Sequence, residues 1–144
     1  MWKPWKIEIS SVRSNSLGAG RGVTGAVMPI GLKRAYDPPA SSDGLRILVD
    51  RLWPRGLSKP EAHIDIWAKD VAPSPALRQW FGHDPAKWQE FQARYESELA
   101  HNNEAVVALR RLIGDKVATL IYAARDAEHT HALVIRGILE RMRV

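Results

Sequence analysis

The sequence predicts an α/β fold, a small single domain with a mostly parallel central sheet flanked by helices. Two runs, Leu45 to Asp50 and Val117 to Ala123, have the length and β-branched content of strands buried on both faces. Each ends abruptly in charge and is followed by helical patterning. Strand, polar loop and helix thus occur twice, as parallel pairing through helical crossovers requires. At 144 residues, 45% of them apolar, the chain is long enough for one substantial core.

The elements follow in order. Residues 1–27, rich in Ser and Gly from residue 10 onward, read as a flexible basic extension, and residues 28–144 as the folded domain. Ile30 to Tyr36 is a first strand, ended by the turn-rich Asp37-Pro38-Pro39-Ala40-Ser41-Ser42-Asp43-Gly44. After the strand at Leu45, Ser58 and Glu61 have the spacing of a capping box around Pro60, which starts a short helix. Ile64, Ile66 and Ala68 then alternate with Asp65, Trp67 and Lys69, which fits an extended segment nearly as well as a longer helix.

Ser74-Pro75 and Asp84-Pro85 each set a capping side chain before a proline at the first helical position. The first of these helices carries Leu77, Trp80 and Phe81 and stops at Gly82. The second places Trp88, Phe91, Tyr95 and Leu99 on one apolar stripe. A third spans Asn103 to Ile113, with Gly114 where a left-handed cap belongs. After the strand at Val117, a last helix presents Leu133, Val134, Ile135, Ile138, Leu139 and Met142 to the core.

Composition removes several classes of function. Cysteine is absent, which excludes disulfides, thiolate nucleophiles and cysteine-bound metals and fits a reducing cytoplasm. No apolar run reaches the roughly 18 residues of a membrane span. Ile7 to Ser16 is too polar for a signal-peptide core, so a cytoplasmic location is expected. The net charge of +5 and pI of 9.8 suggest nucleic acid at first sight. Lys3, Lys6, Arg13 and Arg21, against Glu8, supply most of the excess, so the folded part is nearly balanced. Pro75 to Phe81 and Pro85 to Leu99 look superficially like a helix-turn-helix. The second helix, however, sets Lys87 and Arg94 against Glu90, Glu96 and Glu98, a face that repels phosphates.

If the two strong strands are parallel neighbours, their carboxyl ends bring Asp50, Arg51, Trp53 and Arg55 near Tyr122, Arg125, Asp126, His129 and His131. Open α/β sheets bind ligands at such an edge. Arginine stays protonated and binds phosphate or carboxylate through a planar fork, so Arg51, Arg55 and Arg125 point to a small anionic ligand. Proton transfer falls to Asp50, Asp126 or His129 (Glu128 being a further candidate), with Trp53, Tyr122 and His131 completing the binding set. An equally weighted reading has Asp50 and Asp126 capping turns and pairing with Arg51, Arg55 or Arg125 to hold two loops together.

No metal site is expected. His129 and His131 point apart on a helix, and the single Glu128-x-x-His131 face lacks the second copy that carboxylate-bridged sites use. His83 reads as a turn residue before the Asp84 cap, and Ser58 and Ser74 as caps rather than nucleophiles. No Gly-x-Gly-x-x-Gly or Walker loop is present, so no cofactor is expected either.

Lys33-Arg34-Ala35-Tyr36, Asp50-Arg51-Leu52-Trp53-Pro54-Arg55-Gly56, Ala72-Pro73-Ser74, Trp80-Phe81-Gly82-His83-Asp84 and Tyr122-Ala123-Ala124-Arg125-Asp126-Ala127-Glu128-His129 stand in that order along the chain. Over residues 28–139 the chain closely resembles the YeaO-like group within a bacterial domain-of-unknown-function family, DUF488. The resemblance implies a small α/β domain in a bacterial cytoplasm. It brings no established reaction and therefore no catalytic assignment. The functional expectation is a small hydrolase or transferase acting on a phosphorylated or nucleotide-like substrate. The alternatives are a non-catalytic module binding a small anionic metabolite and, behind it, nucleic-acid binding through the tail. Oligomeric state is left open.

Overall fold

The computed structural model describes residues 29–142, and the reading of residues 1–27 as a flexible extension lies outside them. Among these described residues four strands, β1 (Ile30–Arg34), β2 (Leu45–Leu48), β3 (Ile66–Trp67) and β4 (Ala118–Tyr122), form one sheet in the order β1-β4-β2-β3. Every pairing is parallel. The two strong strands are indeed neighbours, with Leu45 opposite Ala118 and Leu48 opposite Ile121. Five helices accompany them: α1 (Lys59–Ala62), α2 (Pro75–Phe81), α3 (Trp88–His101), α4 (Asn103–Ile113) and α5 (His131–Arg141).

Continuous apolar strands make sense because both sheet faces are covered. Ile47, Val49, Ile66, Leu120 and Tyr122 face the larger core, built with Leu77, Phe91, Tyr95, Leu109, Ile135 and Leu139 from α2 to α5. Leu48, Ile121 and Ala35 face the other way, under Trp53, Leu57, Ile64 and Trp67. Each fully buried aliphatic side chain contributes about 1.5–3 kcal/mol of transfer free energy, which makes these strands the main apolar investment of the fold. At its amino end the second face turns polar. Asp43, 6% exposed, lies 3.0 Å from Lys33 and 2.6 Å from Arg46. Its main-chain carbonyl accepts the Thr119 hydroxyl. Arg46 also donates to the carbonyls of Ala62 and His63, so one buried guanidinium ties β2 to the end of α1.

The helix starts behave as the sequence implies. Ser58 and Glu61 form a reciprocal capping box, and Ser74 accepts the Leu77 N–H ahead of Pro75. Gly82 closes α2 in the left-handed region, with φ 54° and ψ 28°. Two details differ. The turn after Asp84 is 3-10 over Pro85–Lys87, and the α-helix proper begins at Trp88. Gly114 has φ 56° but ψ −128°, so it redirects the chain into β4 without the left-handed helical cap. No helix among the described residues is long and apolar enough to cross a membrane.

Candidate functional site

Parallel pairing puts the carboxyl ends of β1, β2 and β4 on one edge of the sheet, and the loops leaving them are tied together by polar side chains. Asp50 lies two residues past the end of β2. Its Oδ2 accepts the N–H of Ala123 at 2.9 Å, joining the ends of β2 and β4. Its carbonyl accepts the Trp67 indole N–H, joining β2 to β3. His131 opens α5, where Thr130 caps the helix through the Ala132 N–H. Nε2 of His131 lies 3.0 Å from the Val49 carbonyl and 3.2 Å from Asp50 Oδ1. A carbonyl can only accept, so Nε2 carries the proton and gives it to Val49. Asp50 Oδ1 is left buried without a hydrogen bond among the described residues.

Arg51 is similarly engaged. Its guanidinium donates to the carbonyls of Ala72 and Pro73, each at 3.2 Å, which anchors the loop after β3. Tyr95 of α3 seals the same region from below by donating its hydroxyl to the Val71 carbonyl. Burial pushes that phenol well above its ordinary pKa, with Glu98 and Asp50 adding to the rise and Arg51 opposing it. Tyr122 is buried in the main core, and burial raises its hydroxyl pKa too. Trp53 donates its indole N–H to Leu57 at 2.7 Å and sets its ring edge-on to Trp67 at 5.3 Å, as a cover for the second core.

Asp126 and His129 make a second, more open pair. Asp126 Oδ2 lies 2.8 Å from His129 Nδ1, while Oδ1 accepts the N–H groups of Glu128 and His129. The His129 hydrogen bond, then the Glu128 N–H, hold this carboxyl below its ordinary pKa. His129 meets the edge of Trp88 at 5.5 Å, so the apolar stripe of α3 does reach this rim. Glu128 precedes α5, so the helical face expected of Glu128 and His131 does not exist, and His131 is half-buried.

Arg55 and Arg125 are exposed, and neither side chain makes a hydrogen bond, ion pair or ring contact among the described residues. The edge therefore brings Asp50 to His131 and Asp126 to His129. It draws Arg51 into the main chain and leaves two rim arginines without partners. Neither Asp50 nor Asp126 pairs with an arginine there.

Arg34 and Tyr36 complete the edge and were not singled out as site residues by the sequence pattern. Arg34 donates to the carbonyls of Ala123 and Ala124, and Tyr36 donates its hydroxyl to the carbonyl of Arg55. The signal was available, because both residues end a predicted strand within the Lys33-Arg34-Ala35-Tyr36 motif. Apart from this edge, a cleft of about 350 Å³ lies between α2 and α3, lined by Ser74, Leu77, Trp80, Arg94 and Glu98. Its acid, Glu98, is occupied by the N–H and hydroxyl of Ser74. Among the described residues no group of three or more His, Asp or Glu side chains is placed to hold a metal ion.

The model of DUF488-N3i, described as an inactive DUF488-N3 subclade, matches residues 29–143. An uncharacterized protein of Mycobacterium tuberculosis, Rv3073c, is 43% identical over 106 residues, covering 74% of this chain and 89% of that protein. The uncharacterized protein YeaO of Escherichia coli is 41% identical over 115 residues, covering 80% of this chain and 100% of that protein. No solved structure matches.

Proposed function

From the premise that this chain belongs to the DUF488 family, as a YeaO-like member matching its inactive N3i subclade, we propose a non-catalytic module that binds a small anionic metabolite. One observation carries this reading. The strand-end groups that could move protons or clamp a substrate are turned inward, with Asp50 Oδ2, His131 Nε2 and the Arg51 guanidinium bonded to the main chain and Asp50 Oδ1 buried, while Arg55 and Arg125 stand exposed on the loops after β2 and β4. Two exposed guanidiniums, neither paired with a carboxylate among the described residues, suit phosphate or carboxylate through charge-assisted hydrogen bonds. Asp50, Arg51 and His131 then act as the frame that fixes those loops.

A second reading, a hydrolase or transferase on a phosphorylated or nucleotide-like substrate, has Asp126 and His129 in its favour. A carboxylate-oriented imidazole beside an aromatic wall is the arrangement of a general base.

One titration series separates the two. Calorimetry with inorganic phosphate and ribose 5-phosphate, run on the native chain and on Arg55→Ala and Arg125→Ala, should show binding that weakens about tenfold with each variant. Phosphorus NMR of the same mixtures should show the ligand unchanged. Turnover that His129→Ala abolishes would replace the binding reading with the catalytic one, and affinity indifferent to both arginines would remove the anion site.

A further inference from the structure

Tyr36 is exposed to 44% in a domain whose other tyrosines, among the described residues, are buried. This exposed ring lies beside the loop that carries Arg55. Its ring is not loose. The hydroxyl is pinned to the carbonyl of Arg55 at 3.0 Å, and the guanidinium of Arg34 lies 5.2 Å from the ring centroid. Arg34 is itself held by the carbonyls of Ala123 and Ala124, the residues immediately before Arg125. The same two contacts that fix the tyrosine thus tie it to the main chain at Arg55 and beside Arg125. Leu52, 65% exposed, lies on the β2 loop of the same edge, so apolar surface and free cations occur there together.

We infer that Tyr36 is a stacking platform, so that the ligand of this edge carries a planar ring as well as a phosphate, the chemistry of a mononucleotide. The inference rests on the anion-site reading above and adds the ring. A base stacked on a preordered tyrosine loses little rotamer entropy, because Arg34 and the Arg55 carbonyl have already restricted the side chain. Stacking of this kind is tolerant of base identity and is worth about tenfold in affinity or more. Arg55 and Arg125 supply the phosphate contacts, and Arg34 backs the platform without touching the ligand.

Calorimetry on the full chain with adenosine monophosphate and ribose 5-phosphate tests this. The native protein should bind the nucleotide about tenfold more tightly than the sugar phosphate. Tyr36→Ala should bring the nucleotide down to the sugar-phosphate level and leave the sugar phosphate unchanged, while Tyr36→Phe should keep most of the preference. Equal, arginine-dependent binding of both ligands by the native protein would overturn the platform and leave the anion site standing. Binding of neither would overturn both. A Tyr36→Ala variant that weakens both ligands alike would reduce Tyr36 to a prop for the Arg55 loop, and the platform would fall.

Discussion

Replacing Asp43 with Asn should cost about 3 kcal/mol of folding stability, a large part of the roughly 5–15 kcal/mol that holds a domain of this size. Asp43 is the only carboxylate bound to the Arg46 guanidinium among the described residues, and Arg46 is 4% exposed. Removing one partner of a buried pair leaves an uncompensated charge, at a cost of about 3–5 kcal/mol. The lower end applies because Arg46 keeps its bonds to the Ala62 and His63 carbonyls and Lys33, 22% exposed, is partly solvated. Urea unfolding at neutral pH, followed by the fluorescence of the six tryptophans, reads the difference directly. Adding Arg46→Met to the variant should recover part of the loss. A shift below about 1 kcal/mol, or a double variant as unstable as the sum of the singles, would refute the pair as a stability element.

The pH dependence follows in sign. Burial raises the Asp43 pKa, but the Ala40 N–H and the two cations outweigh it, leaving the folded value below the ordinary 3.8. A depressed folded pKa makes a contribution that is present in full above the unfolded value and is lost as pH falls through the folded one. The native protein should therefore lose stability below about pH 4 more steeply than Asp43→Asn does.

Further perturbations separate architecture from binding. Gly44→Ala should prevent cooperative folding, since Gly44 has φ 66° and a Cβ there would sit 2.2 Å from the Val117 carbonyl oxygen; a cooperative thermal transition near the native one would contradict this. Ser74→Ala should cost about 1 kcal/mol through loss of the α2 cap, read as a lowered urea midpoint with an unchanged slope. Arg51→Met should lower stability by about 2 kcal/mol yet leave phosphate affinity intact, because its guanidinium serves the Ala72 and Pro73 carbonyls. Lost phosphate affinity in a folded Arg51→Met protein would place that side chain in the ligand site.

The parts of the fold legible in the sequence were those with local causes. Ser58, Ser74 and Asp84 announce their helices through a side chain reaching its own neighbours, and the β-branched runs at Ile47 and Leu120 need only two-sided burial to be strands. Parallel adjacency of those runs was inferable from their polar ends, and the register confirms it. What the pattern could not convey was which polar groups are spent within the protein. Arg51 and Arg55 look alike four residues apart, yet one faces two carbonyls and the other faces solvent. Arg46 sits inside an apolar run as an apparent interruption, and Asp43 together with the carbonyls at the end of α1, brought close by β3 pairing, explains it. His131 likewise depends on Val49, a partner far away in sequence.

The place of β4 in the sheet also bears on how the protein comes into being. β4 is the last strand made, yet it lies between β1 and β2, which touch no other strand in common. As the chain emerges from the ribosome, β1 waits for a partner until nearly the whole domain has been synthesised, and β2 can pair early only with the two-residue β3. Closure of the sheet is thus a late, long-range event, the kind that slows folding and leaves apolar strand edges open to other chains in the meantime. A nascent chain stalled before Ala118 should be a target for chaperones, and release of the last helix and strand together should be the step that commits it to the native state.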